Sequence, residues 1–122
     1  MPSKNFFITG VTEMLFLSLL AQKDSYVYGI TKTIEGYSSG LLTISPNTIY
    51  TVAYKLEQDG LISEYSKLVG RKRTRIYYHI EPKGREYLDN ISKQYAQVTQ
   101  GIELFNQAVD KLDAEGEHES MD

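Results

Sequence analysis

The sequence of 122 residues contains no cysteine and no tryptophan, and it has only three prolines and two histidines. Without cysteine there is neither a disulfide framework nor a thiolate metal site, which fits a reducing cytoplasm. Neither His79 nor His118 has a neighbouring nucleophile or the spacing of a metal ligand set. A Gly-rich phosphate loop is also missing, and Glu13, Glu57 and Glu64 belong to different elements with no carboxylate pair. We therefore expect no enzyme, no cofactor and no metal site.

Long apolar runs are missing as well. The run from Met14 to Ala21 is far shorter than the ~20 residues that a membrane span needs, and no signal-peptide cleavage site follows it. It predicts a buried first helix at residues 12–22. A second helix is predicted at residues 26–37, and a short strand at residues 41–44.

Acidic residues outnumber basic ones, and the formal net charge is −3. The excess is local, because residues 110–122 hold six acids against one lysine. The rest of the chain carries 12 Lys and Arg against 10 Asp and Glu, a net charge of +2. The length indicates one small domain, and the location of its charge is more informative than its pI.

The most informative stretch runs from Thr43 to Glu81. Its Ser45-Pro46 pair is typical of a helix start, because serine caps first-turn amides and proline suits the first helical position. Gly60 is expected to end this helix in a left-handed conformation. The face opposite the core is polar and has no carboxylate. Helical spacing predicts a buried stripe of Ile49, Val52, Ala53 and Leu56.

A β-hairpin is predicted directly after this helix, with strands at residues 61–65 and 75–80. A polar helix followed by a cationic hairpin is typical of DNA-reading domains, since the helix fits the major groove and the tip reaches phosphates. The alternative is a solvated loop with ordinary charges, and Arg75 could instead pair with a carboxylate near the core. The five cations, with no acid among them, are Lys67, Arg71, Lys72, Arg73 and Arg75.

These segments resemble the PadR family of winged-helix transcriptional regulators, in the family's order and over roughly residues 14–102. The resemblance implies an α+β fold, a winged helix-turn-helix with a long C-terminal dimerisation helix. It also implies a homodimeric repressor that binds a pseudo-palindromic operator in double-stranded DNA. The matching segments are Tyr28-Gly29, Ser45-Pro46-Asn47-Thr48-Ile49-Tyr50, Leu56-Glu57-Gln58-Asp59-Gly60-Leu61-Ile62, Arg73-Thr74-Arg75-Ile76-Tyr77-Tyr78 and Glu81-Pro82-Lys83-Gly84.

Base contacts are expected from the exposed face of the reading helix. Asn47 suits a bidentate contact to adenine, and Thr48 and Thr51 suit base edges or thymine methyl groups. Lys55 lies one turn further along and is expected to contact a phosphate.

Two tyrosines are candidates for the DNA backbone. Tyr50 resembles the family's tyrosine near a phosphate, and the alternative is that it packs on the second helix. Many family members have His-Gly-Tyr where this chain has Tyr28-Gly29-Ile30. The family's tyrosine place is thus held by Ile30, and Tyr26, Tyr28 and Lys32 are the candidate substitutes for the missing phosphate contact.

The segment after Pro82 predicts a helix of roughly 30 residues, about 45 Å long, which exceeds the body of so small a domain. We expect a winged-helix domain at residues 1–82, a dimerisation helix at 83–112 and a disordered acidic tail at 113–122. Apolar residues recur at alternating spacings of three and four, and this heptad seam predicts a homodimer. The seam is Leu88, Ile91, Tyr95, Val98, Ile102, Phe105, Val109 and Leu112.

The resemblance also implies a ligand site, because small multidrug-sensing members hold an apolar inducer between their subunits. Tyr95 matches their pore-lining aromatic, although an apolar seam ordinarily means packing. Two other function classes stay open: a winged helix for protein contacts, and a ligand-binding dimer without DNA binding. The further candidate ligand residues are Met14, Phe16, Ile91, Ser92 and Val98.

Overall fold

The computed structural model describes residues 3–115, and these contain four helices and two strands. They form the expected α+β winged helix with a long C-terminal helix. In chain order the elements are α1 (Ser3–Gln22), α2 (Val27–Tyr37), α3 (Pro46–Gln58), β1 (Ile62–Val69), β2 (Arg73–Ile80) and α4 (Pro82–Glu115).

Helix α3 begins and ends as its sequence predicts. The Ser45 hydroxyl accepts a hydrogen bond from the Thr48 amide at 3.2 Å, and Pro46 occupies the first helical position. Gly60 follows the helix with φ of 74°, a left-handed conformation that costs glycine little. The apolar stripe is buried as predicted, at Ile49, Val52, Ala53 and Leu56.

The core lies where α1, α2 and α3 meet the base of the hairpin. Phe16 of α1 is fully buried, and its ring meets the Tyr78 ring edge-on at a centroid distance of 5.7 Å. Burying a side chain of this size contributes about 1.5–3 kcal/mol. Phe16 is thus a core residue of the winged helix. The largest fully buried side chains are Phe16, Leu17, Leu20, Ile30, Ile49 and Leu56.

The two strands are longer than predicted, because pairing continues through polar residues. Antiparallel register runs from Ile62↔Ile80 to Val69↔Arg73. The turn is therefore only Gly70 to Lys72, with Gly70 at φ of 68°. Of the five predicted cations, Arg75 lies on β2 as predicted, and Lys67 and Arg73 lie on the strands rather than in the loop between them.

The strand predicted at residues 41–44 is wrong, since these residues have no regular structure. The Ser38 hydroxyl accepts from the Leu42 amide at 3.0 Å, which folds the segment into a turn. The free edge of β2 is occupied by Ser25 instead, in an isolated bridge to Tyr78. Its two hydrogen bonds measure 2.8 and 3.3 Å.

The two terminal helices are longer than expected. Helix α1 begins at Ser3 rather than near residue 12. Helix α4 begins at Pro82 as predicted and includes residues 113–115, which the sequence assigns to a disordered tail. Residues 116–122 of that tail lie outside the described residues. No helix in the described part of the chain is long and apolar enough to cross a membrane.

Gly84 allows α4 to approach Leu61 closely, in the turn between α3 and β1. A Cβ added there would overlap the Leu61 carbonyl oxygen and lie 2.9 Å from Cγ1 of Ile80. We expect Gly84→Ala to lower the free energy of unfolding by about 1–3 kcal/mol, as overpacked sites do. Urea unfolding followed by circular dichroism measures the change.

Gly36→Ala is the matched control, because a Cβ at Gly36 of α2 meets nothing within 4 Å. Alanine there should leave stability unchanged or raise it by up to about 1 kcal/mol. Equal effects of the two substitutions would contradict the packing role of Gly84.

Candidate nucleic-acid interface

The three predicted base-reading residues on the solvent face of α3 differ in how free their polar groups are to hydrogen-bond. Asn47 and Thr51 are exposed, and the Thr51 hydroxyl donates to the Asn47 carbonyl at 3.0 Å. Thr51 thus offers its methyl group more readily than its hydroxyl. The Thr48 hydroxyl lies 3.1 Å from that of Ser45, within the helix cap. Asn47 is the residue of this face best able to hydrogen-bond a base edge.

Lys55 forms ion pairs with two carboxylates of its own chain. Its Nζ lies 2.8 Å from Oε2 of Glu13 on α1 and 3.9 Å from Oδ2 of Asp59. The hydrogen bond to Glu13 raises the pKa of Lys55, which keeps its charge. The phosphate contact of Lys55 stays a prediction, and the structure gives this lysine a second task in tying α3 to α1.

The tip of the hairpin carries cations that no acid neutralises. Arg71, Lys72 and Arg73 are exposed, and within the described part of the chain none of them forms an ion pair. Their charge is therefore available to an anionic partner, as the sequence predicts.

The two remaining cations of the hairpin stack on aromatic rings. The Arg75 guanidinium lies 4.0 Å from the centroid of Tyr26, and Lys67 Nζ lies 5.0 Å from that of Tyr77. Tyr77 is stacked on Tyr65, with centroids 5.8 Å apart. Arg75 thus pairs with an aromatic ring rather than with the carboxylate considered as its alternative. Such stacking holds a charged group in place while leaving it positive.

A groove of about 410 Å³ brings α2, α3 and β2 together. Tyr26, the N-cap of α2, makes no side-chain capping bond, so the first-turn amides lack that partner. The positive end of a helix together with two arginines and tyrosine hydroxyls suits a phosphate group. Four predicted site residues meet here. The lining residues are Tyr26, Val27, Tyr28, Tyr50, Arg73, Thr74, Arg75 and Ile76.

The base of the hairpin is anchored to the turn between α1 and α2. Asp24 accepts from the Tyr65 hydroxyl at 2.6 Å, and Nδ1 of His79 lies 2.9 Å from its other oxygen. The bond from Tyr65, together with His79, lowers the pKa of Asp24 despite some desolvation. The same bond raises the pKa of Tyr65.

Two carboxylates do come together, contrary to the sequence reading. Burial raises the pKa of Glu57, and the nearby negative charge of Glu64 adds to that rise. The turn at Gly60 reverses the chain and brings the end of α3 beside β1, which spacing alone does not reveal. No group of three or more acidic or histidine side chains in the described residues could hold a metal ion.

The predicted dimerisation and ligand residues divide between two compact units, residues 1–89 and the later part of α4. In the first unit Phe16 is buried in the core and Met14 is half-buried. On α4, Leu88, Ile91 and Ser92 are half-buried. Further along α4, Leu112 is half-buried and the other five seam residues are 36–67% exposed, at Tyr95, Val98, Ile102, Phe105 and Val109.

Residues 16–90 match the family described as transcriptional regulator PadR-like. The chain belongs to this family. An uncharacterised protein of Lysinibacillus sphaericus is 31% identical over 103 residues, which are 84% of this chain and 94% of that protein.

Solved structures of transcriptional regulators share the fold. A transcriptional regulator from Clostridium thermocellum is 32% identical, with a TM-score of 0.74 and coverage of 81% of this chain and 93% of that one. Bacillus subtilis PadR in complex with operator DNA has a TM-score of 0.61 at 22% identity, with coverage of 66% and 44%. The second comparison bears on the fold alone.

Several residues that support this candidate interface were not predicted from the sequence. Tyr65 and Tyr77 support the hairpin cations, and Asp24 and His79 fix its base. The sequence of β2 does contain a signal, because Arg75, Tyr77 and His79 occupy every second position and therefore lie on one face of the strand. Their partners are far away in sequence, however, and only the fold reveals them.

Asp24→Asn tests the anchor of the hairpin. Because the folded-state pKa of Asp24 is lowered, its contribution is fully present above its unfolded value of about 3.9 and is lost as pH falls through the folded value. We therefore expect the variant to be less stable than wild type at pH 6–7, with the difference shrinking below about pH 4. Urea unfolding of the wild type and the variant, at pH 6–7 and below about pH 4, measures this difference in stability. A difference that does not change with pH would contradict the role of the Asp24 carboxylate as the anchor.

Proposed function

We propose that this PadR-like protein is a cytoplasmic, sequence-specific DNA-binding regulator that acts as a homodimeric repressor. The observation that carries the proposal is the convergence of an exposed polar α3 face, three unpaired cations on the hairpin and the groove that both share. No acid lies among the lining residues of that groove, so the surface suits an anionic backbone.

DNA would be read by α3 in the major groove. Asn47 supplies the main base contact, and the Thr51 methyl group suits thymine. Lys72 and Arg71 at the tip reach phosphates beside the groove, while Arg73, Arg75, Tyr28 and Tyr50 hold one more phosphate at the N-terminus of α2. Most of the affinity then comes from phosphate contacts, and only two or three base contacts distinguish one DNA sequence from another.

A second copy of the chain is the proposed partner of α4. Five of its eight seam residues are more than a third exposed, and a helix with such a stripe needs another helix to cover it. A two-fold dimer would place two reading helices about 34 Å apart, in successive major grooves. The operator is accordingly expected to be pseudo-palindromic.

An inducer is proposed to act at the same interface. Tyr95 lies on the seam, and its hydroxyl needs a polar partner there, which favours a small apolar or aromatic ligand with a polar group. Ile91, Ser92, Val98 and Met14 are the remaining candidate contacts, whereas Phe16 is fully buried in the core and cannot reach a ligand without repacking. The inducer releases DNA only to the extent that it binds one dimer geometry more tightly than the other.

DNA binding is tested by fluorescence anisotropy across a salt series. The target is a duplex that the protein selects from a randomised library, and a scrambled duplex is the control. Wild type should bind the selected duplex much more tightly. Replacing Lys72 and Arg73 with alanine should weaken binding to both duplexes and flatten the slope of log K against log salt by up to about two units.

Asn47→Ala is the complementary variant. It should weaken binding to the selected duplex by about 1–3 kcal/mol while leaving the scrambled duplex and the salt slope unchanged. Equal binding of wild type to the two duplexes would contradict a sequence-specific regulator. An unchanged salt slope in the variant that lacks Lys72 and Arg73 would show that the hairpin is not part of the DNA interface.

The dimer is tested by replacing Val98 and Ile102 with glutamate. Each change places a charge in the apolar seam, so we expect monomers in sedimentation velocity. The matched control replaces Gln100 and Gln107 with glutamate, which adds the same charge to the opposite face of α4 and should leave the dimer intact. A dimer that survives the first pair would show that the seam lies elsewhere.

A further inference from the structure

Glu13 is a buried carboxylate that joins three helices. Its side chain is only 9% exposed, although it is the one carboxylate of α1. Oε2 accepts from Lys55 Nζ of α3 at 2.8 Å, and Oε1 accepts from the Tyr87 hydroxyl of α4 at 2.6 Å. Both of its oxygens thus have a donor, one on the reading helix and one at the beginning of the C-terminal helix.

The arrangement is costly to disturb. A buried carboxylate needs its donors, because losing one partner leaves a desolvated charge without compensation. The hydrogen bond to Glu13 raises the pKa of Tyr87, so the phenol keeps its proton and remains a donor at neutral pH. Displacing the first turns of α4 must therefore either carry Glu13 along or break the bond to Tyr87.

We propose that Glu13 is a positioning residue that couples α4 to the reading helix. Lys55, Glu13 and Tyr87 form a polar bridge that fixes the orientation of α3 against the beginning of α4. A change in α4, the proposed dimerisation and inducer-binding helix, then reaches α3 through two hydrogen bonds. The inference rests on the proposed DNA-binding function and adds a route by which the interface between subunits controls it.

Two simpler roles compete with this one. The bridge could serve stability alone, in which case weakening it would lower the unfolding free energy but not the DNA affinity of the folded dimer. Alternatively, Lys55 could act on DNA only as a direct phosphate contact. In that case Tyr87, whose hydroxyl is occupied by Glu13, would have no influence on DNA binding.

Tyr87→Phe separates these roles, since it removes one hydroxyl from the bridge and leaves Lys55 and Glu13 in place. We expect the folded dimeric variant to bind the selected duplex about fivefold or more weakly than wild type, within the usual range of coupling between sites. Anisotropy gives the affinity, and sedimentation and circular dichroism confirm that the variant is a folded dimer.

Ser63→Ala is the matched control. The Ser63 hydroxyl also donates to a carboxylate at 2.6 Å, that of Glu81, but neither residue belongs to the reading helix. This variant should lose stability as Tyr87→Phe does while keeping wild-type affinity for the selected duplex. If both variants weaken DNA binding equally, general destabilisation explains the effect and the proposal is overturned.

A double-mutant cycle with Lys55→Met supplies the second readout. If the bridge acts as a unit, the loss in affinity of Lys55→Met combined with Tyr87→Phe is clearly smaller than the product of the single losses. Multiplicative losses, or wild-type affinity of Tyr87→Phe, would overturn the coupling. Failure of wild type itself to discriminate the selected duplex would instead overturn the proposed function.

Discussion

The buried ring of Tyr78 holds the hairpin against the helices. Its edge contact with Phe16 places β2 on α1, and its main-chain bonds to Ser25 pin the same strand to the turn before α2. Burial raises the pKa of Tyr78 to about 12, so the phenol stays neutral at any ordinary pH. Because β2 is fixed in this way, Arg73 and Arg75 lie beside the N-terminus of α2 and help to line the groove that is proposed to hold a phosphate.

Local patterns were enough to predict the parts of the fold that depend on neighbouring residues. The Ser45-Pro46 start, the stripe of α3 and the beginning of α4 at Pro82 all rest on spacings of a few residues, and the structure confirms them. The extra length of the strands was not predictable, because pairs such as Lys67↔Arg75 carry no apolar alternation.

The sequence was enough to predict which residue types form the candidate site, but not which residues of the chain they contact. Lys55 meets Glu13 from 42 residues earlier, and Arg75 stacks on Tyr26 from a different element. These contacts depend on how α1 and α2 pack, which no local spacing encodes. Whole-chain charge is equally uninformative, since the acids near the C-terminus hide the cations of the hairpin.

The exposed seam of α4 has a further consequence through mass action. A folded subunit that leaves side chains such as Phe105 67% exposed gains from pairing, so the apparent stability of the proposed dimer rises with protein concentration. While subunits are scarce, the amount of dimer grows with the square of the total subunit concentration. If the proposed dimer is the form that binds DNA, operator occupancy rises more steeply than synthesis of the chain, which gives a threshold even without an inducer.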